Sequence, residues 1–161
     1  MTTTADDRVL FEADRDTRIA TITLNRPEAA NAQNPELLDE LDAAWTRAAA
    51  DSEVSVIVLR ANGKHFSAGH DLKGGGPVPD KITLEFIIEH EAKRYLEYTL
   101  RWRNVPKPSI AAVQGRCISG GLLLCWPCDL IIAAESAKIG SVEVGIGLAP
   151  LLGAVQRLVA L

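Results

Sequence analysis

The spacing of apolar positions changes several times along the 161-residue chain, and each change predicts an element. From Arg8 to Phe11 and from Arg18 to Leu24, β-branched residues and the apolar Ile22 and Leu24, set around threonines, predict two strands. A turn at Asp14 to Asp16 joins them as a hairpin. Asn25-Arg26-Pro27 stops the sheet, and a loop from Glu28 to Gln33 leads to Asn34-Pro35, an N-cap residue followed by a proline at the first helical position. Leu37, Leu41, Ala44, Trp45 and Ala48 then recur at three- and four-residue spacing, which predicts an amphipathic helix. Val54 to Leu59 is a continuous β-branched run, as expected of a strand buried on both faces in a largely parallel sheet.

The second half repeats this logic. Lys81 to Asn104 reads as a long helix, with Ile82, Phe86, Glu89 and Lys93 on one line and Ile88, Tyr95, Leu96 and Leu100 supplying apolar faces. Pro106 and Pro108 end it, Ser109 to Gln114 forms a strand, and Leu130 to Ala134 forms another that reads as buried. Lys138 to Ser141 opens a loop carrying Glu143 between Val142 and Val144, and Leu151 to Leu161 starts a helix without a C-cap signal. The Gly- and Pro-rich residues 74 to 80 are an inserted loop, a lid in function or a plain connection. Strands alternating with helices in this order predict a single α/β domain, 1–161, with right-handed crossovers.

Composition narrows the partners. The chain is 47% hydrophobic and 24% charged, as in an ordinary globular domain, and its net charge of −4 includes no basic tract. Nucleic acid is therefore not the expected partner, and an anionic ligand needs local positive charge. The apolar run from Cys117 to Cys128 is shorter than the ~18–20 residues of a membrane span and reads as a buried helix. The first seven residues lack the basic start and apolar core of a signal peptide, and three cysteines cannot all pair. A reducing cytoplasm, away from the membrane, is the expected location.

Chemistry concentrates at two turns. Gly115 to Asp129 reads as a turn and a helix entered from the strand ending at Gln114, and Gly120-Gly121 at its bend lets the backbone approach a ligand. Free N–H groups at the helix start favour something negative, or becoming negative, at that place. Ser67 to Asp71 is a second small-residue turn. If both follow neighbouring parallel strands, their ends share one side of the sheet and two N–H groups can converge on one oxygen. Such an oxyanion hole contributes roughly 3–4 kcal/mol per donor when charge develops on a carbonyl; the plainer reading is two tight turns required for packing.

Other combinations are weaker. Cys125-Trp126-Pro127-Cys128 has redox spacing, but it closes a helix instead of opening one, and no Cys/His pair stands near it to complete a metal site. Ser67, His70 and Asp71 are too close in one loop for a triad, and Gly74 to Gly76 lacks the helix and Lys-Ser/Thr of a phosphate loop. Trp102 and Trp126 read as packing residues.

Phe66-Ser67-Ala68-Gly69-His70-Asp71-Leu72-Lys73, the stretch from Gly115 to Asp129, and Leu24-Asn25-Arg26-Pro27 with Asn31-Ala32 resemble the enoyl-CoA hydratase/isomerase, or crotonase, family. Ile139 to Gly145, Gly147-Leu148-Ala149-Pro150 and Gln156-Arg157-Leu158 extend the resemblance, in the family's order, over nearly the whole chain. It implies a ββα spiral core with largely parallel sheets, an acyl-CoA thioester substrate of fatty acid metabolism, and no cofactor beyond the CoA of the substrate. It also implies that the N–H groups of His70 and Gly120 hold the thioester oxygen, that Ala68 and residues 70 to 73 (His70, Asp71, Leu72, Lys73) line the CoA, and that Lys73, Lys64 or Arg26 supply positive charge.

Hydratases of the family use two glutamates. Glu143 matches the second, and Leu123 occupies the position of the first. Leucine can neither orient a water nor deliver a proton, so the pair favours an isomerase: one base, Glu143, that moves a double bond between the 3- and 2-positions. Val142 and Val144 beside it are expected to desolvate its carboxylate and raise its pKa. The family's C-terminal helices, which complete the acyl pocket and the trimer or hexamer contacts, have no counterpart in these residues. The alternative expectation is an inactive crotonase-like chain that binds acyl-CoA or a partner subunit.

Overall fold

In the computed structural model, which describes residues 7–73 and 83–146, the chain opens with a hairpin. Strands β1 (Val9–Asp14) and β2 (Ile19–Leu24) pair antiparallel, Val9 opposite Leu24 and Asp14 opposite Ile19. Helix α1 (Pro35–Ala50) begins where the sequence places it: Asn34 Oδ1 accepts the Leu37 N–H at 3.0 Å, and Pro35 occupies the first turn. Leu37, Leu41, Trp45 and Ala48 are all buried, each large apolar side chain contributing roughly 1.5–3 kcal/mol. Strand β3 (Val56–Ala61) returns parallel to β2, two residues later than the predicted run, with Ile57 and Leu59 buried and Val56 and Val58 half-buried.

The long helix is present but differently wound. It runs as α2 (Leu84–Ile87), a π-helical stretch from Ile88 to Glu97, and α3 (Tyr98–Arg103), capped by Thr83 Oγ1 accepting from the Phe86 N–H. The wider i→i+5 winding rotates positions that a 3.6-residue period would align. Ile88, Leu96 and Leu100 are accordingly exposed, contrary to the sequence expectation, while Tyr95, Tyr98 and Trp102 are buried. Two aspartates on α1 clamp this helix. Asp39 accepts from Arg94 and Tyr98, Asp42 accepts from Arg101 and from Trp102 Nε1, and Trp45 stacks on Trp102 at 5.8 Å.

Strand β4 (Ser109–Val113) adds parallel to β3, and β6 (Leu130–Ala133) adds parallel to β4, so the main sheet runs β1-β2-β3-β4-β6 in chain order. This is the α/β fold expected. Strand β6 itself is not buried: all four of its residues are exposed, Leu130 and Ile132 by about 60%. Among the described residues it pairs with β4 alone, at the end of the sheet order, and an apolar run does not announce whether other elements cover its faces. The predicted loop at 74 to 80 and the helix from Leu151 to Leu161 lie outside the described residues.

A second, smaller sheet positions the site. Strand β5 (Arg116–Ile118) pairs parallel with β7 (Lys138–Gly140), Cys117 opposite Ile139 and Ile118 opposite Gly140. On the other side of β5, Ser67 bridges Cys117, also parallel. Three parallel segments thus deliver their following residues, 68–71, 119–121 and 141–143, to the same end. Adjacent strands stand ~4.8 Å apart. The glycine turn therefore follows β5 in this small sheet and not, as the sequence suggested, the buried strand β4.

Candidate active site

The first turn is held by hydrogen bonds that consume nearly all of its polar groups. The Ser67 N–H donates to Arg116 O at 3.1 Å, Ala68 N–H to Ala30 O at 3.0 Å, Gly69 N–H to Ser67 Oγ at 3.2 Å and Asp71 N–H to Gln33 O at 3.0 Å. Gly69 has φ of 89°, which a glycine adopts without strain. Gln33 runs parallel beside it: its N–H donates to Gly69 O, so it brackets His70 and leaves the His70 N–H pointing away from that bridge.

The second turn brings Gly120 against the first. A methyl on Gly69 would lie 3.0 Å from Ile118 O and 3.3 Å from Gly120 N; one on Gly120 would lie 2.8 Å from Gln33 Oε1 and 3.0 Å from His70 Nδ1. Both positions therefore require glycine for close approach. Ser119, just before the short helix α4 (Gly120–Cys125), holds φ 50° and ψ −113°, a conformation rare for a residue with a side chain. Its N–H donates to Gly140 O at 2.9 Å, and the Ile118 N–H donates to Ser67 O. The N–H groups of His70 and Gly120, one in each turn, donate to no acceptor among the described residues.

Of the other residues singled out in the sequence, Ala68, Leu72 and Lys73 are exposed and Leu123 is half-buried against the core. Asp71 is buried and bound to Arg26 at 2.9 Å, and the same Arg26 Nη1 donates to Ala32 O. Arg26 thus has its charge paired locally, whereas Lys64 and Lys73 are exposed. Ser67 is fully buried with its hydroxyl committed to Asn31 O, which ends any role as a nucleophile. The His70 ring stacks on Tyr95 at 4.5 Å, with Nε2 3.2 Å from Glu91 Oε1.

Glu143 sits at the start of a short 3-10 turn, Glu143–Ile146, directly after β7. Burial pushes its carboxyl pKa up, as expected, but the Ser141 hydroxyl, its own backbone N–H, the Ser119 hydroxyl and the Val142 N–H together outweigh that and hold it below the ordinary glutamate value. The expectation of a raised pKa is corrected: donors to a carboxylate stabilise its charged form more than partial burial opposes it. The two thiols of the Cys125–Cys128 pair are buried, and burial pushes Cys128 up to about 12, the opposite of an activated redox thiol.

Sequence reasoning missed Gln33, Tyr95, Glu91, Ser119 and Ser141. A polar residue between Ala32 and the capping Asn34 carries no periodic signal, and Tyr95 reads as plain apolar surface until the helix winding is known.

The family described as enoyl-CoA hydratase/isomerase matches residues 14–160. A Rhizobium meliloti protein named as a probable enoyl-CoA hydratase is 42% identical over 144 residues, which are 88% of this chain and 52% of that protein. Among solved structures, a probable enoyl-CoA hydratase from Mycobacterium thermoresistibile is 78% identical with a TM-score of 0.77, over 84% of this chain and 53% of its own. One from Mycobacterium smegmatis is 72% identical, also at a TM-score of 0.77, over 86% and 53%. The chain spans about half the length of the curated relatives it matches.

Proposed function

The chain belongs to the enoyl-CoA hydratase/isomerase family, and from that premise we propose that it acts on acyl-CoA thioesters, stabilising an enolate between the N–H groups of His70 and Gly120 with Glu143 as base. The observation that carries this reading is the approach of the two turns, which a methyl group at either Gly69 or Gly120 would block, with an unclaimed N–H on each side. Donors fixed in advance by the fold need no reorganisation when charge develops on the thioester oxygen.

Double-bond isomerisation is the favoured reaction. The Glu143 carboxylate, kept ionised at neutral pH by its hydroxyl and N–H donors, takes a proton from C2 of a 3-enoyl thioester. The C–H electrons move into a dienolate whose oxygen the two N–H groups hold. The same carboxyl then returns its proton to C4, the carbonyl reforms, and the double bond lies between C2 and C3. Leu123, apolar and half-buried, supports this over hydration, which calls for a second group to orient water and deliver a proton. Ala68, His70, Asp71, Leu72 and Lys73 line the CoA in this reading, with Lys73 and Lys64 as the cations nearest its phosphates.

Mixing the protein with a 3-enoyl-CoA is expected to produce the absorbance of a conjugated 2-enoyl thioester, and Glu143→Gln to abolish it while acyl-CoA binding persists. Activity that survives Glu143→Gln moves the base elsewhere. No signal from a 3-enoyl-CoA and no loss of a 2-enoyl-CoA would overturn both enzymatic readings and leave an acyl-CoA-binding protein.

A further inference from the structure

We propose that Gln33 is a positioning residue that sets the separation and orientation of the His70 and Gly120 N–H donors, with Tyr95 fixing the direction of its amide; this rests on the reading of those donors as the site of the thioester oxygen. Gln33 is 3% exposed; its backbone and its Nε2 both bond the first turn, and its Oε1 lies beside Gly120 of the second. Its N–H donates to Gly69 O at 2.8 Å and its carbonyl accepts from the Asp71 N–H at 3.0 Å, so the residue between them, His70, has its own N–H turned outward. Its Oε1 lies 2.8 Å from where a side chain on Gly120 would begin. The amide is the spacer between the two donors.

The direction of that amide is fixed by its neighbours. Ser67 Oγ donates its one hydrogen to Asn31 O at 2.8 Å, so it accepts from the Gly69 N–H at 3.2 Å and from Gln33 Nε2 at 3.0 Å. Gln33 must then present Oε1 to the Tyr95 hydroxyl, which donates to it at 2.9 Å. Tyr95 is itself 3% exposed and carries the His70 ring stacked on its face. Every polar atom of Gln33 is thus satisfied within a buried network, the condition under which such a network defines one geometry and not several. Methionine at 33 keeps the volume and loses the amide. Glutamate keeps the shape but has no hydrogen for Ser67 and puts a negative charge beside Gly120, where the enolate charge is to develop.

The test uses the chain as it is, with butanoyl-CoA carrying carbon-13 at the thioester carbonyl and isotope-edited infrared spectroscopy of the complex. The wild-type complex is expected to move the carbonyl band to lower frequency than in water. Gln33→Met and Tyr95→Phe are expected to lose part of that shift, and Gln33→Glu all of it. In turnover of a 3-enoyl-CoA, kcat should fall about tenfold or more in Gln33→Met while KM changes less than about threefold, since the loss falls on the transition state. If Gln33→Met does not fold, Tyr95→Phe, which removes a single oxygen, decides the matter. A wild-type shift in folded Tyr95→Phe and in any folded Gln33→Met overturns the positioning role and leaves the oxyanion site standing. An unshifted band in the wild-type complex, or no complex, overturns the site and the role with it.

Discussion

Around Ser67–Asp71 the backbone is tied by side chains from other elements: Asn31 and Gln33 from the loop before α1, Tyr95 from the π-helical stretch, and Arg26 through Asp71. Around Ser119–Gly121 the ties are mostly main-chain, and the geometry is imposed by close packing of glycines and by Ser119 at φ 50°. The first turn is a polar network under cover of the helix; the second is a sterically forced bend resting on it. A network fails when one member is removed and leaves the others unpaired. A forced bend fails when volume is added. The two halves of one candidate site therefore respond to opposite kinds of substitution.

The largest expected effect breaks the network side. Arg26→Met leaves the Asp71 carboxylate, 6% exposed, without its guanidinium. Removing one partner of a buried ion pair costs about 3–5 kcal/mol, and urea unfolding should register a loss of that order. A loss below about 1 kcal/mol would mean that the first turn is held by its backbone alone, as the second is, and the contrast between them would disappear.

Adding volume probes the place where the turns meet. Gly69→Ala forces a side chain into φ 89°, which costs roughly 1–2 kcal/mol, and sets a methyl 3.0 Å from Ile118 O and 3.3 Å from Gly120 N. The turns must part by a few tenths of an ångström or more, and a displacement approaching 1 Å can cost on the order of 100-fold in rate. The expected outcome is a folded protein with a drop in kcat far larger than its drop in stability. Equal, small losses in both would separate this turn from the chemistry.

Which parts of this could be read from the residues follows from how each part is held. Asn34-Pro35 and the apolar stripe of α1 are local signals, and they marked that helix, its start to the residue. Gly69 and Gly120-Gly121 marked both turns because glycine is forced there by contact, and Glu143 could be named because a resemblance supplied its role. Gln33 and Tyr95 could not be found this way. Their meeting spans 62 residues of sequence and depends on a π-helical winding that the apolar period does not announce. The exposure of β6 escaped for a related reason: Leu130–Ala133 has the composition of a central strand, and what covers its faces is decided by tertiary packing that the run does not announce. The pKa of Glu143 went the other way because Val142 and Val144 are visible neighbours in sequence, whereas the Ser119 hydroxyl comes from across the small sheet.

Ser119→Ala gives the smallest and most specific effect on the comparison. The Ser119 hydroxyl accepts from the Val142 N–H at 3.3 Å and contributes to lowering the Glu143 pKa, so it ties the second turn to the loop that carries Glu143. Its loss should cost no more than about 1.5 kcal/mol, the range of a single hydrogen bond. The folded-state pKa of Glu143 lies below its unfolded value, so its contribution to stability is present above the unfolded pKa and disappears as pH falls through the folded one. Removing one donor raises the folded pKa toward the unfolded value. The variant should therefore be less stable than wild type near neutral pH, with the part of the difference due to Glu143 vanishing in acid. With Glu143 as the proposed base, the acid limb of the pH–rate profile should also move to higher pH, because its carboxylate protonates earlier. An unmoved acid limb, with stability changed equally at every pH, would show that Ser119 holds the bend without reaching Glu143, and that the second turn is as separate from the base as the first.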